Sequence, residues 1–100
     1  MIVHIVLWRL HAQANGKSKQ ENALEMKRRF EALRGTMPGL RRLDFGINFE
    51  GSDQASDVAL YTEFESREAL DAYQAHPAHK EVAASITDLR TERRVVDYEV

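Results

Sequence analysis

Histidine and tyrosine side chains meet in one short segment, where they could carry proton-transfer chemistry. Tyr73 and His79 lie on either side of Pro77. Histidine has an ordinary pKa close to neutrality, so it can accept and return a proton at working pH. A tyrosine hydroxyl can donate a hydrogen bond to a carbonyl oxygen on which negative charge develops. The pair predicts removal of a proton next to a carbonyl group, with His79 as the base and Tyr73 polarising the carbonyl.

The same residues also have a structural interpretation. Pro77 interrupts a helix, and the imidazoles of His76 and His79 could bond free backbone groups at the two helix ends. Tyr73 could be a core aromatic residue with a satisfied hydroxyl. His4, near the start of the chain, could be a buried histidine bonded across a sheet. The sequence therefore leaves three roles open for these residues, namely catalysis, structural packing and non-catalytic binding of a small ligand.

Other kinds of site have little support in the sequence. The chain contains no cysteine, which excludes disulfides, thiolate zinc sites and cysteine nucleophiles. His76 and His79 have helical spacing, but Pro77 breaks that face and only Glu81 could add a carboxylate. No phosphate-binding glycine loop and no nucleophile elbow is present. We expect neither a metal nor a cofactor.

Charge and hydropathy limit the partners of the chain. Its 100 residues include 14 basic and 16 acidic ones, and 43% are hydrophobic, which predicts one folded domain spanning residues 1–100. The basic residues 27–29 alternate with acidic neighbours, so they indicate a solvated helix face rather than a nucleic-acid site. The apolar run at residues 2–8 is too short to cross a bilayer and lacks the pattern of a secretory signal. No membrane association is expected, and a cytoplasmic location is predicted.

Hydrophobic periodicity predicts the elements that must position these side chains. Strands are predicted at residues 2–10, 40–50, 57–65 and 93–100. Apolar residues spaced three and four apart predict a helix from Lys19 to Met37, with Ser18 able to cap it. A second helical region begins after Ser66, is interrupted at His76–Pro77 and continues to about Thr91.

This element order predicts a ferredoxin-like βαββαβ fold of the α+β class, with an antiparallel sheet and the helices on one face. The first strand is nevertheless apolar on both sides, with Val3, Ile5 and Leu7 on the side away from the helices. An exposed apolar row usually marks an interface, so a homodimer is expected. That second face should also carry polar residues, which need pairing or water. They are Arg42, Asp44, Glu63 and Asp97.

Five fragments of the chain, taken in order, resemble the stress-responsive A/B barrel domain (Dabb) family. They are His4–Leu7, Met37–Leu40, Asp57–Leu60 leading to Phe64–Ser66, Leu70–His79 and Arg94–Tyr98. The resemblance spans nearly the whole chain and is most specific in its Tyr-x-x-His-Pro-x-His segment. It implies a dimeric α+β barrel in which two ferredoxin-like sheets face each other. Most members of this family have no assigned chemistry, so the resemblance leaves the specific activity unassigned.

One branch of the family implies a more specific role. The chain has distant similarity to a plant polyketide cyclase of the olivetolic acid type, which closes a linear poly-β-ketone by aldol condensation without cofactor or metal. By this resemblance the enzyme's strand-one histidine corresponds to His4, its pocket tyrosine to Tyr73 and its catalytic histidine to His79. The cyclase has a further pocket tyrosine in its first helix, where this chain has only Phe30 as an aromatic residue.

The resemblance therefore leaves two functional expectations. The first is a structural, stress-related or ligand-binding homodimer, whose ligand would be small and hydrophobic or aromatic. The alternative is a cofactor-independent cyclase or lyase, or a small monooxygenase-like enzyme, with His79 as general base, Tyr73 as carbonyl donor and His4 assisting. The sequence does not decide between a binding protein and an enzyme.

Overall fold

A four-stranded antiparallel sheet carries the helices on one of its faces in the computed structural model, which describes residues 1–100. The elements in chain order are β1 (Ile2–Leu10), β2 (Gln13–Ala14), β3 (Lys17–Ser18), α1 (Lys19–Glu31), β4 (Leu40–Ile47), β5 (Val58–Phe64), α2 (Arg67–Ala75), α3 (Pro77–Ser85) and β6 (Arg90–Glu99). The large sheet has the order β4-β5-β1-β6, and β2 pairs with β3 in a separate small hairpin. The predicted ferredoxin-like α+β fold is confirmed. None of its helices is both long and apolar enough to cross a membrane.

The central strand β1 brings His4 into the core. Successive side chains of a strand point to opposite faces, so His4 shares the helix-facing side with Val6 and Trp8. All three are buried, together with Leu60 from the neighbouring strand β5 and Phe30 from α1. The core between sheet and helices therefore surrounds a histidine with apolar side chains.

No helix covers the opposite face of the sheet. Leu7 of β1 is 37% exposed there, and Val96 and Tyr98 of β6 are 51% and 44% exposed. Of the apolar row predicted on the second side of β1, Leu7 is exposed and Ile5 is partly buried, whereas Val3 is buried. Asp97 was expected on this uncovered face, and that prediction was wrong. Asp97 lies directly opposite His4 in the β1–β6 pairing and so shares its helix-facing side.

Helix α1 begins where predicted but ends earlier. The Ser18 hydroxyl accepts a hydrogen bond from the Glu21 amide, and the Glu21 carboxylate accepts one from the Ser18 amide, forming a capping box. The helix ends at Glu31 rather than Met37, because Leu33 already bonds the carbonyl three residues back in a tighter turn. The spacing of apolar residues continues as far as the buried Met37, although the helix has already ended.

Two other boundaries also differ from the prediction. Strand β4 ends at Ile47, and Phe49, expected on its buried side, is fully exposed. The chain turns away there because the Asn48 side-chain oxygen accepts a hydrogen bond from the Glu50 amide. Helix α3 ends at Ser85 rather than Thr91, because residues from Arg90 onward pair with β1.

Candidate ligand-binding and catalytic site

The break between α2 and α3 brings Tyr73 and His79 together. His76 ends α2 and caps α3, and its Nδ1 accepts a hydrogen bond from the Ala78 amide at 3.0 Å. Pro77 occupies the first turn of α3, where a missing amide proton is tolerated. The rings of Tyr73 and His79 lie against each other, with centroids 4.4 Å apart. The structural interpretation thus holds for His76, which bonds a free backbone amide at the helix break.

Tyr73 is deeply buried and its hydroxyl has no partner. The side chain is 1% exposed and packs against Phe64, with ring centroids 5.0 Å apart. No protein group forms a hydrogen bond with the hydroxyl. Burial raises the pKa of the Tyr73 phenol far above its ordinary value of 10.0. The phenol is therefore neutral at physiological pH and keeps its proton for donation.

His4 is held by groups on both neighbouring strands. It is 2% exposed, and its ring lies edge-on to Tyr73 at a centroid distance of 6.5 Å. Its Nδ1 contacts the carboxylate of Asp97, and the Thr62 hydroxyl donates to its backbone carbonyl at 2.7 Å. An ionised carboxylate only accepts hydrogen bonds, so the His4 Nδ1 carries a proton and its N–H donates a hydrogen bond to Asp97. Asp97 therefore fixes both the orientation and the tautomer of His4.

A small open cavity lies between the sheet and α3, beside His79. Its volume is about 80 Å³. It is lined by His4, Val6, Trp8, Phe30, Leu60, His79, Ala83, Ile86, Arg90 and Arg93. Of the three predicted site residues, His4 and His79 line this cavity, whereas Tyr73 packs against His79 and is not part of the wall. The cavity is partly open on one side, so part of a small molecule can enter it while the rest extends outward.

Three buried side-chain polar atoms in the protein lack a hydrogen-bond partner, and two of them, the Trp8 Nε1 and the His79 Nδ1, belong to residues that line this cavity. The third is the hydroxyl of Tyr73, which packs against His79 outside the wall. Buried polar groups in folded proteins almost always form hydrogen bonds. Two unpaired polar atoms in the residues that line one cavity are therefore typical of a place where an external molecule supplies the missing partners.

Burial and nearby positive charge keep His79 neutral. Loss of hydration is the main cause that lowers its pKa from 6.5, and electrostatic interactions with His4 and Arg93 lower it further. The backbone of Gln74 raises the pKa of His79, but by less than burial lowers it. A neutral imidazole beside a cavity can accept a proton, and the neutral phenol of Tyr73 next to it can donate a hydrogen bond. No cluster of histidine and carboxylate side chains could hold a metal ion.

Sequence reasoning missed three neighbours of the site. Arg93 lies opposite Trp8, and Asp97 lies opposite His4, in the pairing of β6 with β1, and Arg90 lies opposite Leu10. Strand pairing is the signal that could have found them. The alternation within β6 does not reveal its inner face, since charged and apolar residues occur on both sides of this edge strand.

Comparison with known proteins identifies relatives of the same size and fold. A dimeric ferredoxin-like protein of unknown function from Bacteroides fragilis is 27% identical, with a TM-score of 0.85 over 99% of this chain and 95% of that one. A similar dimeric protein from Jannaschia is 26% identical, with a TM-score of 0.78 over 99% and 98%. A hydroxynitrile lyase from Passiflora edulis shares the fold, with 16% identity and a TM-score of 0.82 over 99% and 92%.

These relatives assign no specific activity to the chain. A search of curated protein sequences finds no significant match. Residues 2–100 match the family model of the stress responsive A/B barrel domain. The resemblance noted in the sequence is confirmed, and the chain belongs to the stress responsive A/B barrel domain (Dabb) family.

Proposed function

We propose that the protein is a homodimer that binds a small organic molecule in the cavity beside His79. The observation that carries this proposal is that two unpaired buried polar atoms, Trp8 Nε1 and His79 Nδ1, belong to residues that line one cavity. The rest of the wall is largely apolar, including Val6, Phe30 and Leu60. Ligand sites commonly combine an apolar wall with a few polar groups that fix orientation. The ligand proposed is therefore small and hydrophobic or aromatic, with at least one hydrogen-bonding group.

The uncovered face of the sheet is the surface proposed for the second copy. Leu7, Val96 and Tyr98 form an apolar row there, and such a row is unfavourable in water. The relatives from Bacteroides fragilis and Jannaschia are themselves described as dimeric.

Light scattering at micromolar concentration should give the mass of a dimer, and Leu7→Asp should give that of a monomer. Leu24→Asp is the matched control, since Leu24 is exposed on α1, away from this face. A monomeric native chain would refute the dimer.

Ligand binding is tested by filling the cavity. Ala83 lines it, so Ala83→Phe should occupy the space, whereas Ala84→Phe places the same ring on the exposed next residue. Trp8 is the only tryptophan, so its indole N–H gives one signal in a nitrogen–proton correlation NMR spectrum. Acetophenone and phenol are suitable first probes because each combines an aromatic body with one polar group.

The probes should shift the Trp8 signal in a saturable way in the native chain and in Ala84→Phe, but not in Ala83→Phe. A signal that moves equally in both variants would show that the probes bind elsewhere. Absence of any shift across a wider set of small aromatic ketones, phenols and carboxylates would contradict the proposal.

A second function, proton transfer, is favoured by the state of His79. Its Nδ1 has no partner, and its lowered pKa keeps it neutral and ready to accept a proton. In this proposal His79 removes a proton from a carbon next to a carbonyl group, and the electron pair moves onto the carbonyl oxygen. His4, which lines the cavity and is oriented by Asp97, assists, and Tyr73 packs against the His79 ring from outside the cavity wall. The donation from the Tyr73 hydroxyl to that oxygen, expected from the resemblance, stays a prediction.

Nitrobenzisoxazole is a probe for the base that needs no knowledge of the natural substrate. When a base removes its carbon-bound proton, the N–O bond breaks and a coloured cyanonitrophenolate forms. His79→Gln should slow this reaction by about a hundredfold, the order of effect typical of general base catalysis. His11→Gln is the control, because His11 is exposed and is not part of the cavity wall. Equal rates in both variants and the native chain would refute proton transfer and leave the binding proposal standing.

A further inference from the structure

Two arginine residues line the cavity, and no aspartate or glutamate does. Arg90 and Arg93, both on β6, line it, and neither forms an ion pair within the protein. Every other arginine of the chain lies within 4.0 Å of an aspartate or glutamate carboxylate. These are Arg9, Arg28, Arg29, Arg34, Arg41, Arg42, Arg67 and Arg94. The two unpaired arginines of the molecule are thus the two at the cavity.

The other unpaired donor of the wall points to the same kind of ligand. An indole N–H can only donate, and Trp8 Nε1 is buried without an acceptor. Arg93 lies directly opposite Trp8 in the strand pairing, so the two donors belong to the same end of the cavity. The charge of Arg93 also acts on His79, whose pKa it helps to lower. Together these residues supply positive charge and N–H groups but no negative charge to balance them.

We infer that the ligand of this cavity is a small organic carboxylate, whose oxygens accept hydrogen bonds from Arg93, Arg90 and Trp8; the inference rests on the proposed ligand-binding function. A guanidinium matches a planar carboxylate with two parallel hydrogen bonds. The apolar side chains of Val6, Leu60 and Ile86 then face the carbon body of the same molecule.

The test compares carboxylates with their uncharged amides. Benzoate and butyrate, with benzamide and butyramide as neutral counterparts, are titrated while the Trp8 indole signal is followed by NMR. We expect saturable shifts with the carboxylates and at least tenfold weaker binding of the amides. Binding should also raise the pKa of His79, because the carboxylate offsets the charge of Arg93.

Matched variants assign the effect to the two arginines. Arg93→Gln should weaken benzoate binding at least tenfold and Arg90→Gln should weaken it as well, while Arg93→Lys should restore part of the loss. Arg28→Gln removes the same charge from the exposed face of α1 and should leave binding unchanged. Thermal unfolding followed by circular dichroism confirms that each variant is folded.

The outcomes separate this inference from the proposed function. Amides that bind as tightly as carboxylates, or an Arg93→Gln variant that binds benzoate normally, overturn the carboxylate inference while ligand binding survives. Inorganic phosphate that binds as tightly as benzoate also overturns it, because the site would then select oxyanions rather than organic carboxylates. If neither carboxylates nor amides move the Trp8 signal, both the inference and the proposed function fail.

Discussion

Two groups of aromatic rings pack on the helix-facing side of the sheet, and they differ in how many of their buried polar atoms lack a hydrogen-bond partner. The phenylalanine cluster consists of Trp8, Phe30 and Phe45, with ring centroids 5.4 to 6.2 Å apart. The histidine cluster consists of His4, Phe64, Tyr73 and His79, with neighbouring centroids 4.4 to 6.5 Å apart. Both are tightly packed, yet only the histidine cluster contains several buried polar groups.

The number of unpaired polar atoms in each cluster indicates which part of the core is not optimised for stability. The phenylalanine cluster has a single unpaired polar atom, the Nε1 of Trp8. In the histidine cluster both the Tyr73 hydroxyl and the His79 Nδ1 lack partners. A buried polar group without a hydrogen bond costs about 1–3 kcal/mol. Departures from the rules of stable packing tend to mark functional sites, so the histidine cluster is where chemistry is expected.

The largest effect is expected in the phenylalanine cluster. Phe30 is buried between Trp8 and Phe45, so Phe30→Ala removes ring contacts on both sides and leaves a cavity. The free energy of unfolding should fall by about 3–5 kcal/mol. Denaturant unfolding at one fixed protein concentration measures it. A loss below about 1 kcal/mol would mean that this cluster does not act as the core, contrary to the comparison.

Tyr73→Phe should change the free energy of unfolding in the opposite direction. It removes the unpaired hydroxyl and keeps the ring against Phe64 and His79, so the free energy of unfolding should rise by about 1–3 kcal/mol. The same denaturant measurement applies. Phe45→Tyr is the matched reversal, because it adds a hydroxyl to the phenylalanine cluster and should destabilise the protein. A clear loss of stability in Tyr73→Phe would show that the hydroxyl has a partner, and the contrast between the clusters would be wrong.

The same tyrosine should make the fold sensitive to alkali. Burial raises the pKa of Tyr73, so above pH 10.0 the unfolded phenol ionises while the folded one does not. The unfolded state then binds fewer protons, and the free energy of unfolding falls as pH rises, by about 1 kcal/mol between pH 10 and 11. The stability difference between the native chain and Tyr73→Phe should widen over that interval. A constant difference would contradict the burial of a neutral phenol.

Local signals explain why the order of elements could be predicted. Ser18 and Ser66 cap helices, and Pro77 breaks one, through contacts within a few residues along the chain. The ends were less predictable, as with Met37 and Phe49, because apolar spacing continues past the point where the backbone turns. Met37 is buried outside the helix and Phe49 is exposed outside the strand, so the spacing of apolar residues did not predict where either element ends.

The candidate site could be predicted only in part, for a related reason. The resemblance named His4, Tyr73 and His79, and their rings do lie together. Asp97 and Arg93 enter through the pairing of β6 with β1, two strands at opposite ends of the chain. Such a register depends on the packing of the whole sheet rather than on a local pattern. The charged groups that orient His4 and line the cavity therefore became visible only in the structure.

The smallest expected effect is at His79, because its ring is only half-buried. The lowered pKa means that the unfolded imidazole takes up a proton near pH 6.5 while the folded one resists it. The stability contribution is full above pH 6.5 and is lost as the pH falls below it, toward the folded pKa. Denaturant unfolding between pH 7.5 and 5.5 should therefore show a smaller decline in His79→Gln than in the native chain. His11→Gln, at an exposed histidine, should decline like the native chain. If all three decline equally, burial does not hold His79 neutral, and the histidine cluster loses the property that makes it a candidate base.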